Sequence, residues 1–141
     1  MTVQVAQLGG GSAITPRSVT FNAADFTGNN AMTWTVIAGG VTTFRFALNG
    51  KMLNLAIKVA GTVGGVASTK LQIKIPNGLI SKNSVSFPTI INSFGTGFQM
   101  GFTNVTAGGT TIDFQTSQPA PFSNWGLGAS EVDFLGSFEV Q

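Results

Sequence analysis

The sequence lacks cysteine, histidine and tyrosine altogether, and it has few charged residues of either sign. Without histidine or cysteine there is no imidazole general base, no thiolate nucleophile and no strong ligand for a transition metal. A serine hydrolase with the usual triad is excluded as well. Disulfides cannot form, so the composition does not indicate the redox compartment in which the protein works.

Acid and base catalysis could then come only from a pair of carboxylates. The sequence has five: Asp25, Asp113, Glu131, Asp133 and Glu139. Glu131 and Asp133 are two positions apart on a strand pattern, which is more typical of a solvated strand face than of a glycosidase pair. The same two residues could lend oxygens to Ca²⁺, but no Asp-rich loop accompanies them. We therefore expect a protein that is not an enzyme and that uses no cofactor and no metal.

Long apolar runs are missing too. No segment approaches the roughly 18 apolar residues of a membrane-spanning helix. The start of the chain, Met1 to Gln4, lacks the basic region and apolar run of a secretion signal. The basic residues stand singly and never form a run, which is typical of solvated strand faces. We expect a soluble protein made in the cytoplasm that binds neither nucleic acid nor membrane.

The residues that are abundant indicate an all-β protein. The chain has 141 residues, of which 43% are hydrophobic, so one domain with a sizeable core is expected. Its phenylalanines and β-branched residues suit strands, and its 19 glycines interrupt helices. All seven basic residues lie within residues 1–82, whereas residues 83–141 hold four of the five acids.

The central feature of the sequence is the stretch 41–59, in which two alternating apolar runs are joined by Asn49-Gly50. Asn-Gly is typical of a type I′ hairpin turn, because both residues accept a positive φ. The alternation predicts one apolar core face, formed by Phe44, Phe46, Leu48, Leu53, Leu55 and Ile57. A hairpin with one apolar face needs another layer to cover it.

Further strands are predicted at 17–21, 34–36, 69–75, 85–91, 98–102, 112–114 and 132–140. Pro88 predicts an edge or a bend, and Gly136 predicts a bulge or a twist point. Residues 22–30 read as a loop, and the glycine-rich stretch 61–65 as a mobile connection. Eight or nine short strands at this spacing predict a two-sheet antiparallel sandwich, jelly-roll-like, with an extended N-terminal arm.

That arm and its Gly-rich hinge occupy residues 1–16, ahead of a single domain over residues 17–141. Residues 2–8 are β-prone, and the Gly9–Ser12 segment after them is a flexible break. The segment is either a first strand of the domain or an arm that pairs with a neighbouring subunit or another protein. An arm would make its contacts through three apolar residues: Val3, Val5 and Leu8.

The stretch 117–130 is rich in proline and glycine and predicts a long loop. Trp125 within it is either a core anchor or an exposed contact residue, and both alternatives stay open. Phe122 is a second candidate for an exposed contact, although a core position is favoured for Phe122, Phe94 and Phe98.

Several short motifs resemble the β-sandwich modules of tailed-bacteriophage virion proteins. The motifs are Trp34-Thr35-Val36 before a glycine pair, Phe44-Arg45-Phe46 with Asn49-Gly50-Lys51, Ile73-Lys74-Ile75-Pro76-Asn77-Gly78, and Gly136-Ser137-Phe138-Glu139-Val140. The resemblance covers roughly residues 32 to 140. In that family such modules are head decoration or cement proteins and tail-fibre tips, commonly homotrimeric, which bind and do not catalyse.

The resemblance favours a capsid decoration or cement protein that binds the outer shell as a homotrimer, with the arm lying across the capsid. Its partners would be copies of itself and the major capsid protein or other virion proteins, and its location the virion surface. A chain that starts with its own methionine and a short arm favours this over a fibre tip, which normally follows a long shaft. The alternative is a tail-fibre tip or receptor-binding module that recognises a host surface glycan or receptor near Asn29, Phe94 or Trp125.

Overall fold

The computed structural model describes residues 15–117 and 123–141. These residues form antiparallel strands and three short 3-10 turns, and no α-helix occurs among them. The strands are β1 (Arg17–Ser18), β2 (Phe26–Gly28), β3 (Met32–Thr35), β4 (Val41–Asn49), β5 (Met52–Gly65), β6 (Leu71–Lys74), β7 (Val85–Ser93), β8 (Gly97–Val105), β9 (Thr111–Gln115) and β10 (Gly128–Glu139). The 3-10 turns span Ala23–Asp25, Ala38–Gly40 and Pro76–Gly78.

All ten strands belong to one antiparallel sheet, which curls into a half-barrel. The order of hydrogen-bonded neighbours is β1-β4-β5-β10-β7-β8-β9-β6-β2, and β3 also pairs with β5. The prediction of an all-β antiparallel fold is thus confirmed, but the pairing is that of one continuous sheet rather than of two. The sheet is continuous because β10 pairs with β5 on one side and with β7 on the other.

The central hairpin forms in the register that the alternation predicts. Phe44 lies opposite Ile57, and Phe46 lies opposite Leu55, with all four side chains buried. Leu48 is the exception, because this predicted core residue is 43% exposed. It lies two residues from the turn, at the end of the hairpin, where the core no longer covers it.

The turn of this hairpin differs from the predicted type. Asn49 pairs with Met52, so the two loop residues are Gly50 and Lys51. Of these only Gly50 has a positive φ, of 59°. A positive φ at the first loop residue alone is the pattern of a type II′ turn, so the predicted type I′ turn is wrong.

Strand β5 continues through the glycine-rich stretch 61–65, contrary to the predicted mobile connection. There it pairs with β3, from Met32 opposite Gly65 to Thr35 opposite Thr62. The glycines allow this close packing: a Cβ on Gly61 would lie 2.7 Å from the Thr35 carbonyl oxygen. Glycine here supplies space between strands rather than a hinge.

Strand β10 runs through Gly136 without a change of register, so the predicted bulge is absent. A Cβ at Gly136 would lie 2.6 Å from the tip of the Phe134 ring, which shows that this glycine makes room for that ring. Pro88 in β7 lies beyond the Ile90–Ser93 segment that pairs with β10, so that side of the strand is open. The predicted edge at Pro88 is therefore present locally, within a strand that is otherwise interior.

A single apolar cluster fills the inside of the half-barrel. Phe26 of β2 packs edge to face on Trp34 with ring centroids 5.7 Å apart, and Phe114 does the same on Phe134 at 6.2 Å. Aromatic pairs in this geometry contribute about 0.5–1.5 kcal/mol beyond their burial. The predicted loop at 22–30 thus contains a short strand that supplies a core residue.

Candidate binding surface

The outer face of β7, β8 and β10 carries a row of exposed apolar side chains. Ile90 lies directly opposite Met100, and Asp133 of β10 lies on the other side of Ile90. Phe98 precedes Met100 by two residues in β8, and Leu135 follows Asp133 by two residues in β10. Both side chains therefore lie on the same face of the sheet as Ile90 and Met100. We refer to Ile90, Phe98, Met100 and Leu135 as the outer stripe; their side chains are between 52% and 81% exposed. We take this exposed apolar row as the candidate binding surface.

Phe98 and Met100 face outward because the inner side of β8 has no room for a side chain at Gly101. A Cβ added at the buried Gly101 would lie 2.9 Å from the Ile91 side chain and 2.6 Å from the Gln115 carbonyl oxygen. The inward position therefore suits glycine, and Phe98 and Met100 lie on the opposite face. For this reason the prediction that Phe98 is a core residue is wrong.

No sequence pattern singled out Leu135 as a contact residue, although a signal for it was available. Leu135 follows Phe134 and is three residues from Val132, so it is out of phase with the buried residues of β10. An apolar residue on the solvent phase of a strand is the pattern that identifies such a surface. One apolar residue on a solvent face is weak evidence by itself. It becomes stronger because Ile90 and Met100 lie on the same face of the neighbouring strands.

Two shallow grooves lie on the outer face, and both are lined by Leu135. The first has a volume of about 350 Å³ and lies between Leu135, Ile90 and Met100. The second, which we call the Pro16 groove, has a volume of about 300 Å³. Besides Leu135, its lining includes Pro16, Arg45, Ala47, Asn54, Ala56 and Ser137. The alanines of β4 and β5 leave this space between longer neighbours.

Trp125 is not an exposed contact residue, since only 1% of it is accessible. Its Nε1 donates to the Phe114 carbonyl oxygen at 3.1 Å, and its backbone N–H donates to the Ser68 carbonyl oxygen at 2.8 Å. A buried indole needs a partner for its N–H, and Trp125 has one. The structure therefore supports the core-anchor alternative and overturns the exposed one. Phe122 lies outside the described residues.

Phe94 is 59% exposed in the turn between β7 and β8, so its predicted core position is wrong. Its ring lies against Gly128, where a Cβ would come within 2.7 Å of it. Beside it is a groove of about 350 Å³ lined by neutral polar side chains: Thr96, Gln99, Thr116, Ser117, Ser123 and Asn124. Hydroxyl and amide groups beside an exposed ring suit a neutral polar ligand.

Asn29, the other loop position considered for receptor binding, has its amide group occupied within the fold. Its Oδ1 accepts the Lys70 backbone N–H at 2.9 Å, and its Nδ2 donates to the Thr69 hydroxyl at 3.4 Å. These hydrogen bonds hold the loop before β3 against the start of β6. The side chain therefore acts as a structural tie.

The charged side chains pair largely with one another. The ion pairs are Lys58–Asp133 at 3.8 Å, Lys70–Asp113 at 3.2 Å, Lys74–Asp25 at 3.7 Å and Lys82–Glu139 at 3.4 Å. Of the two carboxylates weighed for catalysis or Ca²⁺, Asp133 thus faces Lys58. Within residues 15–117 and 123–141, no three His, Cys, Asp or Glu residues lie close enough together to hold a metal ion. The same ranges contain no helix of the length and apolar character needed to cross a membrane.

The predicted arm contacts lie outside the described residues: Val3, Val5 and Leu8. Their role stays a prediction. The described chain starts at Thr15, and the residues that follow join the edge of the sheet. Arg17 pairs with Phe46 at the edge of the sheet, and Arg45 Nη2 donates to the Pro16 carbonyl oxygen at 3.4 Å.

Comparison with known proteins gave no match: none of the protein-family models, curated proteins or solved structures compared with this chain is similar to it.

Proposed function

We propose that this protein is a non-enzymatic structural protein of a bacteriophage virion, a capsid decoration or cement protein that binds the outer shell as a homotrimer. The observation that carries the proposal is the outer stripe, an exposed apolar row on one face of a rigid sheet. The motifs that resemble phage virion modules support the choice of virion and shell. In this proposal the long curled sheet corresponds to the two sheets of a jelly-roll-like sandwich.

The energetics favour association through the outer stripe. Full burial of a large aliphatic or aromatic side chain contributes about 1.5–3 kcal/mol, and more than half of each of the four side chains is still accessible. Burial of the outer stripe therefore offsets a substantial part of the cost of association, which is about 4–15 kcal/mol. The Lys58–Asp133 pair at its margin offsets the charge of Asp133, which lowers the repulsion between copies.

The lack of catalytic groups supports a binding role. Four of the five carboxylates face lysines, and the sequence offers no histidine or cysteine to act with them. Weak contacts repeated around a symmetric trimer would then be sufficient for tight attachment to a shell.

Light scattering after gel filtration tests self-association at micromolar concentration. We expect a trimer for the unaltered chain and a monomer for the double variant Met100→Ser with Leu135→Ser. Ile37→Ser is the matched control, because Ile37 is 69% exposed but lies beside β3, away from the outer stripe. A monomeric unaltered chain, or a trimer that survives the double variant, contradicts the proposed interface.

Labelling of intact particles tests the location. An antibody against this protein is expected to mark the head faces, and purified protein is expected to bind undecorated capsids. Labelling at the tail tip would instead support the alternative function.

That alternative, a tail-fibre tip that recognises a host glycan or receptor, is favoured by the polar groove beside Phe94. In this case purified protein adsorbs to host cells and competes with infection. Phe94→Ala is expected to abolish the adsorption, and Ile37→Ser is expected to preserve it. Absence of adsorption at micromolar concentration counts against this function.

A further inference from the structure

We infer that the Pro16 groove is the docking site for the N-terminal segment, residues 2–8, of a second copy of this chain. The inference rests on the proposed self-association and names the contact that would connect neighbouring subunits. It is carried by the position of the groove, by where the described chain starts, and by the sequence that precedes it.

The chemistry of the groove suits an apolar segment with a polar backbone. Ala47, Ala56 and Leu135 present methyl groups, and Asn54 and Ser137 present hydrogen-bonding groups. Ser137 Oγ already donates to Asn54 Oδ1 at 2.5 Å. An extended segment can place its apolar side chains against the methyl groups, while its backbone meets the polar ones.

The segment outside the described residues has the matching pattern. In an extended segment Val3 and Val5 share one face with Gln4 between them on the other, and Ala6 and Leu8 lie on that second face. Three glycines follow, and their freedom of φ allows the segment to take whatever angle a neighbour requires. The six residues 9–14 connect the segment to Thr15 and can span about 20 Å when extended, which sets the distance across which it can reach an adjacent subunit.

The direction of the chain favours a neighbour over the same copy. In the antiparallel register of β1 with β4, the chain from Arg17 back to Thr15 runs towards the Asn49 end of β4. Pro16, the residue before β1, forms one wall of the groove. To enter its own groove the chain must turn across the sheet directly before Pro16, whereas a groove on a second copy placed ahead of it requires no such turn.

The groove is also continuous with the proposed interface. Leu135 is part of the outer stripe and lines the Pro16 groove. A copy that packs on the outer stripe therefore lies next to the groove, within reach of the segment. Association through the outer stripe raises the local concentration of the segment, so a weak docking contact is sufficient.

Disulfide trapping tests the inference on the full chain, which has no cysteine of its own. One copy carries Val3→Cys, Val5→Cys or Leu8→Cys. Three positions are used so that the test does not depend on which residue of the segment lies beside residue 137. The other copy carries Ser137→Cys in the groove and a tag that changes its mass. After mild oxidation, we expect the mixed dimer for at least one arm position in about tenfold excess over a control pair.

The control replaces Ser137→Cys with Thr27→Cys, an exposed position on β2 at the far edge of the sheet. Mixed dimers no more abundant than in the control overturn the inference. A chain that carries both Val5→Cys and Ser137→Cys and closes an internal disulfide at high dilution also overturns it, because the segment then occupies its own groove.

Light scattering on the same samples separates the two proposals. A trimer without mixed dimers overturns the docking of the segment and leaves the proposed self-association intact. A monomeric unaltered chain overturns both.

Discussion

The indole N–H of Trp34 donates a hydrogen bond to the hydroxyl of Ser130, 2.9 Å away in the interior of the protein. The Ser130 hydroxyl in turn donates to the Gly61 carbonyl oxygen at 3.1 Å. This relay connects β3, β10 and β5, three strands from distant parts of the chain. Both donors are satisfied, which keeps the cost of burying them low.

Ser130→Ala is expected to destabilise the protein because it leaves the Trp34 N–H buried without a partner. The cost of such an unsatisfied donor is about 1–3 kcal/mol. Urea unfolding followed by circular dichroism measures it. Ser18→Ala is the control, since Ser18 is exposed, and it should stay within about 0.5 kcal/mol of the unaltered protein. Equal effects of the two substitutions would contradict the relay.

Gly61→Ala is expected to destabilise the protein by about 1–3 kcal/mol, because the new methyl group overlaps the β3 backbone. Its Cβ would lie 2.7 Å from both the Thr35 carbonyl oxygen and Trp34 Nε1. Gly39→Ala is the matched control, since nothing lies within 4 Å of its Cβ. The control should leave stability unchanged or raise it by about 0.4–1 kcal/mol. A Gly61→Ala variant as stable as the control would show that β5 and β3 are not closely packed at this position.

Asp113→Ala is expected to cost more than Asp133→Ala, although both residues face a lysine. Asp113 is buried, and its Oδ1 accepts from Gln72 Nε2 at 2.9 Å and from the Thr111 hydroxyl at 3.1 Å. Its loss leaves these donors without their acceptor, at about 1–3 kcal/mol.

Asp133 is exposed, and its carboxylate lies 3.8 Å from Lys58 Nζ, which is long for an ion pair. Such surface pairs contribute about 0–1 kcal/mol. Chemical denaturation in low and high salt measures both variants. The Asp113 effect should persist in high salt, and equal effects for the two substitutions would contradict this assignment.

Trp125→Ala is expected to destabilise the protein by about 3–5 kcal/mol, as loss of a buried aromatic side chain does. In the unaltered protein both tryptophans are buried, so the fluorescence emission should be blue-shifted and resistant to quenching by acrylamide. Strong quenching in the native protein would show that Trp125 is accessible. Addition of a glycan should leave this emission unchanged.

The strands that the sequence predicted well are those whose apolar residues alternate cleanly. β4, the first half of β5, β6 and β9 belong to this group, and the alternating residues Leu71, Ile73, Ile112 and Phe114 are buried. Alternation and the turn residues between strands were sufficient there.

The failures have a common cause, since which face of a strand is buried depends on what lies across from it. Phe98 and Met100 alternate as predicted, but the Ile91 side chain that packs against Gly101 decides which face turns inward. Likewise, Gly61 alone predicts a break in the strand. The contact with Trp34 shows instead that glycine leaves room for a neighbouring side chain. Such information is held in pairs of residues that are far apart in the sequence, so a local pattern cannot supply it.

The position of β10 in the sheet has a consequence for how the protein is made. β10 is the last of the described strands, and among the described residues it is the only strand that connects β5 with β7 in the sheet order. While the chain is being synthesised, the paired edge of β5 stays open until β10 leaves the ribosome, and exposed strand edges invite aggregation. Pairing between such distant segments is also slow. Folding should therefore be completed late, and a premature stop before residue 128 should leave two half-sheets with open edges.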